Sequence, residues 1–364
     1  MEKTYLLTEK PTKALLLFAL PMMVGNLFQQ LYTMTDSVIV GRFVGEGALA
    51  AVGASYSLTT VFISIAIGGG VGASVLTSRY FGAGEYQKLK QSVRTALTAF
   101  LVLSLCLGLF GWFLAPQIMT ALNTPADVLE QAIVYLRIYF LGLPFLFLYN
   151  VFSAMFNALG RSKIPLFLLI FSSVFNVLLD LVMVCYLGLG IAGVAWATLI
   201  AQGIAAVFSF LLFQREMKQY HVETVATWFA KTELIKMSKL ALPSILQQST
   251  VSIGMMLVQS VVNGFGTEML AGFSAAMRVE SLCVVPMAAM GNVISAYTAQ
   301  NLGARQLERV KQGYHAGYGI VFGIALLLCL LLELYHQPLI ALFLGEEGTA
   351  LALQTGSSYL QFMG

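Results

Sequence analysis

The feature that most constrains this chain is its succession of long apolar runs, broken only by short polar connectors. About 20 apolar residues in a row span the hydrocarbon core of a bilayer as an α-helix, and backbone in lipid must satisfy its own hydrogen bonds. Of the 364 residues, 58% are hydrophobic and 10% are charged, against about 25% charged in an average soluble domain. With a mean hydropathy of +0.82, a soluble multidomain enzyme, a disordered tail and a disulfide-rich secreted scaffold are excluded. An all-α polytopic membrane protein remains, and the length holds about nine to eleven spans. The net charge of +3, from 20 basic and 17 acidic residues, is too balanced for a nucleic-acid partner.

The apolar pattern predicts helices over 13–40, 48–78, 92–115, 127–158, 164–187, 190–214, 235–263, 268–300 and 308–335, and a final stretch 348–364 that begins a tenth. Gly-rich connectors such as Phe81-Gly82-Ala83-Gly84 and Gly160-Arg161-Ser162-Lys163 separate them. On alternate connectors, seventeen Lys and Arg lie on the side of the N-terminus. The opposite connectors carry only Arg42, while Arg137 and Arg278 fall within spans. Such a split places the N-terminus in the cytoplasm of a multi-pass plasma-membrane protein. Cys106, Cys185, Cys283 and Cys329 lie in apolar runs and read as small core residues.

The chain resembles itself at a spacing of about 221 residues. Ala19-Leu20-Pro21 recurs as Ala241-Leu242-Pro243, and Phe81-Gly82-Ala83-Gly84 as Leu302-Gly303-Ala304-Arg305. Both copies start on the same side after an even number of helices, so the halves are parallel repeats about an axis along the membrane normal. The expected architecture is two lobes facing a central cavity. An N-lobe of six helices covers 1–218, an inter-lobe linker 219–234, and a partial C-lobe 235–364. By its own symmetry the second copy continues for roughly 70 more residues, so the sequence reads as C-terminally truncated; a natural nine- or ten-helix variant is the alternative.

An ionised carboxylate at mid-membrane costs about 2.5–3.5 kcal/mol or more, which makes intramembrane acids functional candidates. Asp36 and Asp180 are the two acids well inside spans of the first half. Gln29, Tyr32, Thr33 and Asp36 share one helical stripe, and Asn176 shares a face with Asp180. With Thr198 of the sixth span they supply oxygens suited to a monovalent cation or a shared proton. Two carboxylates close together in low dielectric cannot both ionise cheaply. The bland reading is that either Asp bonds neighbouring polar groups to hold helices together, or that Thr198 bonds back to its own helix. Asn150 and Asn157 share one face of the fourth span, where cavity lining and helix packing are both open. The three His are scattered, and Walker A, HExxH and GxSxG motifs are absent from the sequence.

Taken in order, these residues resemble MATE (multidrug and toxic compound extrusion) transporters of the bacterial drug-export branch. The marks are Ala19-Leu20-Pro21, Gln30, Tyr32 and Asp36 leading into Val40-Gly41-Arg42, then Ala158-Leu159-Gly160-Arg161, Asn176-x-x-x-Asp180, Arg278-x-Glu280 and Gln300-Asn301-Leu302-Gly303-Ala304. The resemblance implies a twelve-helix, two-lobe fold that exports organic cations against inward H⁺ or Na⁺, with no cofactor. It implies a coupling site at Asp36, Asn176, Asp180 and Thr198, which would also hold any Na⁺. It further implies a cavity lined by Gln29, Tyr32, Tyr139, Asn150 and Asn157. Some members carry a seventh-helix Glu, where this chain has Gln247-Gln248, so the N-lobe site is the better supported.

The expected protein is a monomeric secondary antiporter in a bacterial cytoplasmic membrane, with cationic amphiphiles and membrane lipids as its partners. A lipid-linked oligosaccharide flippase, whose diphosphate cargo calls for more Arg and Lys in the spans, is the runner-up. A membrane enzyme and a non-transporting remnant are further alternatives.

Overall fold

The structure, a computed structural model, describes residues 4–122, 124–222, 227–344 and 349–364, and among these it contains helices and no strands. A short α1 (Tyr5–Thr8) precedes α2 (Pro11–Ile39), which Pro11 opens in the first turn, where a missing N–H is harmless. Then come α3 (Glu46–Gly82), α4 (Tyr86–Ala121), α5 (Ala126–Ala158), α6 (Lys163–Asp180) and α7 (Gly190–Met217). The second half holds α8 (Lys231–Val262), α9 (Thr267–Gly303), α10 (Leu307–Leu344) and α11 (Ala350–Met363). Thr349 caps α11 by accepting from the Ala352 N–H at 3.2 Å. Two π-helical turns, Val40–Val44 and Leu181–Tyr186, extend α2 and α6.

Every predicted helix is present, but several run past their predicted ends. Helix α4, the third predicted span, starts at Tyr86, not 92, and α10 continues through Pro338 to Leu344. At α4 the apolar run begins only after Lys88, Lys90 and Arg94, whereas the helical hydrogen-bond ladder already includes them; at α10 the helix passes Pro338 into a further apolar stretch. Among the described residues, eight helices are long and apolar enough to cross a membrane, fewer than expected. The two exceptions are α8, which carries Gln247-Gln248-Ser249-Thr250 at its middle, and α11, with 14 residues. The last four residues of the expected linker 219–234 belong to α8, and 223–226 lie outside the described residues. Cys106 and Cys185 are exposed, correcting their reading as core. In a membrane protein the outer surface is apolar too, so an apolar run does not tell lipid-facing from buried.

Within the first half, α5 packs against α3, α4 and α7, around Leu136, Phe140, Leu143 and Phe147. Helix α3 also reaches into the second half, touching α8 and α9, while α2 packs on α6 and α9. Glycines allow the close approach: a β-carbon on Gly72 would lie 2.6 Å from the Ala241 nitrogen, and one on Gly68 2.8 Å from Ile245 Cα. At the far end of α3 the approach is closer and reciprocal. A β-carbon on Gly82 would lie 1.9 Å from the Gln300 carbonyl oxygen, and one on Gly303 2.0 Å from the Arg79 carbonyl oxygen. Gly303 and Gln300 are the repeat equivalents of Gly82 and Arg79, so each contact is the image of the other.

Polar contacts to the second half surround this crossing. Gln300 Nε2 donates to the Ala158 carbonyl at 2.7 Å and Asn301 Nδ2 to the Leu6 carbonyl at 3.1 Å. The Tyr80 hydroxyl donates to the buried Glu233 carboxylate at 2.8 Å.

Candidate functional site

Helices α2, α6 and α7 bring the predicted ion-site residues together. Asp180 is fully buried and Asn176 nearly so, while Asp36 is half-buried. The Asp36 and Asp180 carboxyls are close enough to interact, and two like charges so placed favour a proton or cation between them. The Asn176 amide is satisfied in one orientation. Its nitrogen donates to Asp180 Oδ2 at 3.2 Å and to the Tyr32 hydroxyl, and its oxygen accepts from the Thr198 N–H at 3.1 Å. Thr198 also lines the cavity beside Tyr32. Asp36 Oδ1 and Asp180 Oδ1 have no protein partner, so acceptor capacity remains at the pair.

Local backbone explains how the carboxylates are aimed. Asp180 ends the α-helical part of α6, and the π turn Leu181–Tyr186 begins at the next residue. Asp36 lies four residues before the π turn Val40–Val44, whose first N–H reaches back to the Asp36 and Ser37 carbonyls. The two wide turns touch each other. Such turns are rare and recur at functional sites.

Beside the pair opens a cavity of about 410 Å³. Gln29, Tyr32, Asn150, Asn157, Asn176 and Thr198 line it, together with Pro21, Met22, Ile67 and Leu169. Tyr32, Asn176 and Thr198 thus belong to both the cavity wall and the carboxylate network. Asn150 faces the cavity and also donates to the Leu146 carbonyl of its own helix at 2.8 Å. Tyr139 is placed elsewhere: its hydroxyl donates to the Thr59 carbonyl at 3.3 Å, and it borders a separate small void with Thr198. Thr33, on the same polar stripe, bonds back to the Gln29 carbonyl and is exposed.

Sequence reasoning missed Asn26, Tyr149 and Gln202, which also line the cavity. A signal existed for Gln202, one helical turn after Thr198 on the same face. In the second half the Tyr359 hydroxyl donates to Glu280 Oε2 at 2.7 Å, a long-range pairing that spacing does not reveal. Arg137 stacks over Trp112 at 5.2 Å.

Helices long and apolar enough to cross a membrane, around a cavity whose largely apolar wall carries a few polar groups, fit a membrane transporter. The MatE family model matches residues 21–182 and again 243–364, so both copies begin at the repeated proline. Two relatives from Bacillus subtilis are the probable multidrug resistance protein YpnP, 30% identical over 96% of this chain and 78% of its own, and YoeA, 31% identical over 98% and 81%. A MOP superfamily transporter from Pyrococcus furiosus superimposes with a TM-score of 0.90 at 25% identity, covering 99% of this chain and 80% of that one. The chain belongs to the MATE family of membrane transporters, and its homologues support drug export as its activity.

Proposed function

We propose that the chain is a secondary antiporter that exports cationic amphiphilic compounds in exchange for H⁺ or Na⁺. Asp36, Asn176, Asp180 and Thr198 form the coupling site, and Gln29, Tyr32, Asn150 and Asn157 help to hold the cargo. Tyr139, expected to line the cargo cavity, instead borders the small void next to Thr198. The observation that carries this reading is the shared wall: Asn176 bonds Asp180 on one side and Tyr32, a cavity residue, on the other. A change of charge at the carboxylate pair is therefore felt in the cavity through one side chain.

The physics gives a sign. A negative charge about 8 Å from a bound cation, at an effective dielectric of about 20, strengthens binding by about 2 kcal/mol, or about thirtyfold. Loading the pair with H⁺ or Na⁺ removes that attraction. An ion entering from outside thus weakens cargo binding, and its release inside restores it. Coupling requires ion and cargo to favour different states. Among the described residues the cavity lining contains no Arg or Lys, which a diphosphate cargo would need, so export of cations is favoured over flipping of a lipid-linked sugar.

We place the N-terminus in the cytoplasm from the Lys and Arg asymmetry and take the membrane to be the bacterial cytoplasmic one. Residues 1–218 form one lobe and 235–364 contribute to the second, a division supported by the repeated MatE match and the reciprocal glycine contacts. The chain acts as a monomer. Ethidium accumulation in efflux-deficient cells tests the function. The chain should lower the dye, and Asp36→Asn at matched expression should restore it. Equal dye with and without the chain would refute export. Collapsing the proton and sodium gradients separately identifies the ion.

A further inference from the structure

Four cationic side chains, Arg79, Lys88, Lys236 and Arg305, line a second cavity of about 770 Å³ where α3, α4, α8 and α9 meet. It lies at the helix ends beside the Gly82 and Gly303 crossing, remote from the carboxylate pair. Two of the cations are matched: Lys88 pairs with Glu85 at 2.8 Å and Lys236 with Glu233 at 2.8 Å. Among the described residues, Arg79 and Arg305 have no carboxylate within ion-pair distance. The cavity wall therefore carries a surplus of two positive charges. The C-terminal ends of α3 and α9, each with about half a negative charge, offset only part of it, and carbonyls there are already bonded, Gln300 by the Ala304 N–H at 2.9 Å and Asn301 by the Gln306 N–H at 2.8 Å.

A second observation concerns the backbone. Arg305 has φ +58°, the one non-glycine in the left-handed region among the described residues. Its repeat equivalent is Gly84, at φ +70°. A glycine holds this turn without strain, whereas a residue with a β-carbon does not. Strain of this kind concentrates at ligand sites. Here it sets a guanidinium at the cavity wall in a turn that glycine would close unstrained.

We propose that this cavity binds a phosphate group, from an anionic phospholipid headgroup or from free phosphate, through Arg79 and Arg305. The guanidinium fork matches phosphate oxygens in pairs. Basic pockets at helix ends sit at headgroup depth. Arg79 lies on α3 and Arg305 two residues past the end of α9, so one bound phosphate ties the two helices together at their crossing. A ligand held by both favours the arrangement in which Gly82 and Gly303 are in contact.

The test uses the full chain in neutral detergent, titrated with short-chain phosphatidylglycerol, phosphatidylcholine or inorganic phosphate, with bound ligand counted by native mass spectrometry. Phosphatidylglycerol should bind more tightly than phosphatidylcholine. Arg305→Gly, which keeps the turn, should weaken it about tenfold, and Arg79→Gln with Arg305→Gly should abolish the preference. If inorganic phosphate binds with the same dependence on both arginines and the lipids do not differ, free phosphate is the ligand. Melting temperatures of the variants report folding independently. The proposal is overturned if the double variant, folded, binds phosphatidylglycerol and phosphate as the parent does, or if neither ligand binds the parent.

Discussion

Asn176 is the side chain on which the proposed coupling turns. Its amide meets Asp180, Tyr32 and the Thr198 backbone at once, and alanine would leave those groups short of partners. Asn176→Ala should cost about 1–3 kcal/mol of stability. It should also suppress the proton or sodium movement that accompanies dye addition to energised vesicles. Retained coupling with lowered stability would mark Asn176 as a packing residue only. Much of this site was legible in the sequence, because a carboxylate or amide inside an apolar run is conspicuous against its neighbours. Asp36, Asn176 and Asp180 stood out for that reason, and Tyr32 because it shares the stripe. Asn26 and Tyr149 did not, since ordinary polar residues in membrane helices are common. The Glu280 and Tyr359 pair was hidden for another reason: it joins α9 to α11, and period analysis reads only within a helix.

Helices were legible wherever burial in lipid dictated them, and illegible at their polar ends. Tyr86–Gln91 is helical although its Lys-rich sequence reads as connector. The π turn Leu181–Tyr186 left no signature, because its extra residue is as apolar as its neighbours. A wide turn holds one residue more than an α-turn, which gives a test. Deleting Met183 from Leu181–Tyr186 should be absorbed as regular helix, with expression and melting temperature close to the parent. Deleting Leu169 from α6 should rotate Leu168 and the residues before it by about 100° relative to Asn176 and Asp180. Export should be lost in both, but the fold only in the second. Equal damage to folding would show that the wide turn is fixed by its surroundings.

At the scale of the molecule the repeat was readable as a period, but what its two copies do to each other was not. Sequence shows that Gly82 and Gly303 correspond; only the fold shows that each receives a carbonyl from the other's helix. Gly82→Ala and Gly303→Ala should each destabilise the closed crossing by about 1–3 kcal/mol. The double variant should fall well short of the sum, because the first β-carbon already forces the helices apart. Additive melting-temperature losses would mean that the two contacts yield separately. The consequence reaches into transport kinetics. Two contacts related by the pseudo-two-fold axis, each backbone against backbone, offer no flexible side chain that can give way first. The crossing behaves as a latch with two catches that release in one event, so the step that frees α3 from α9 should be all-or-none, with no half-open species accumulating.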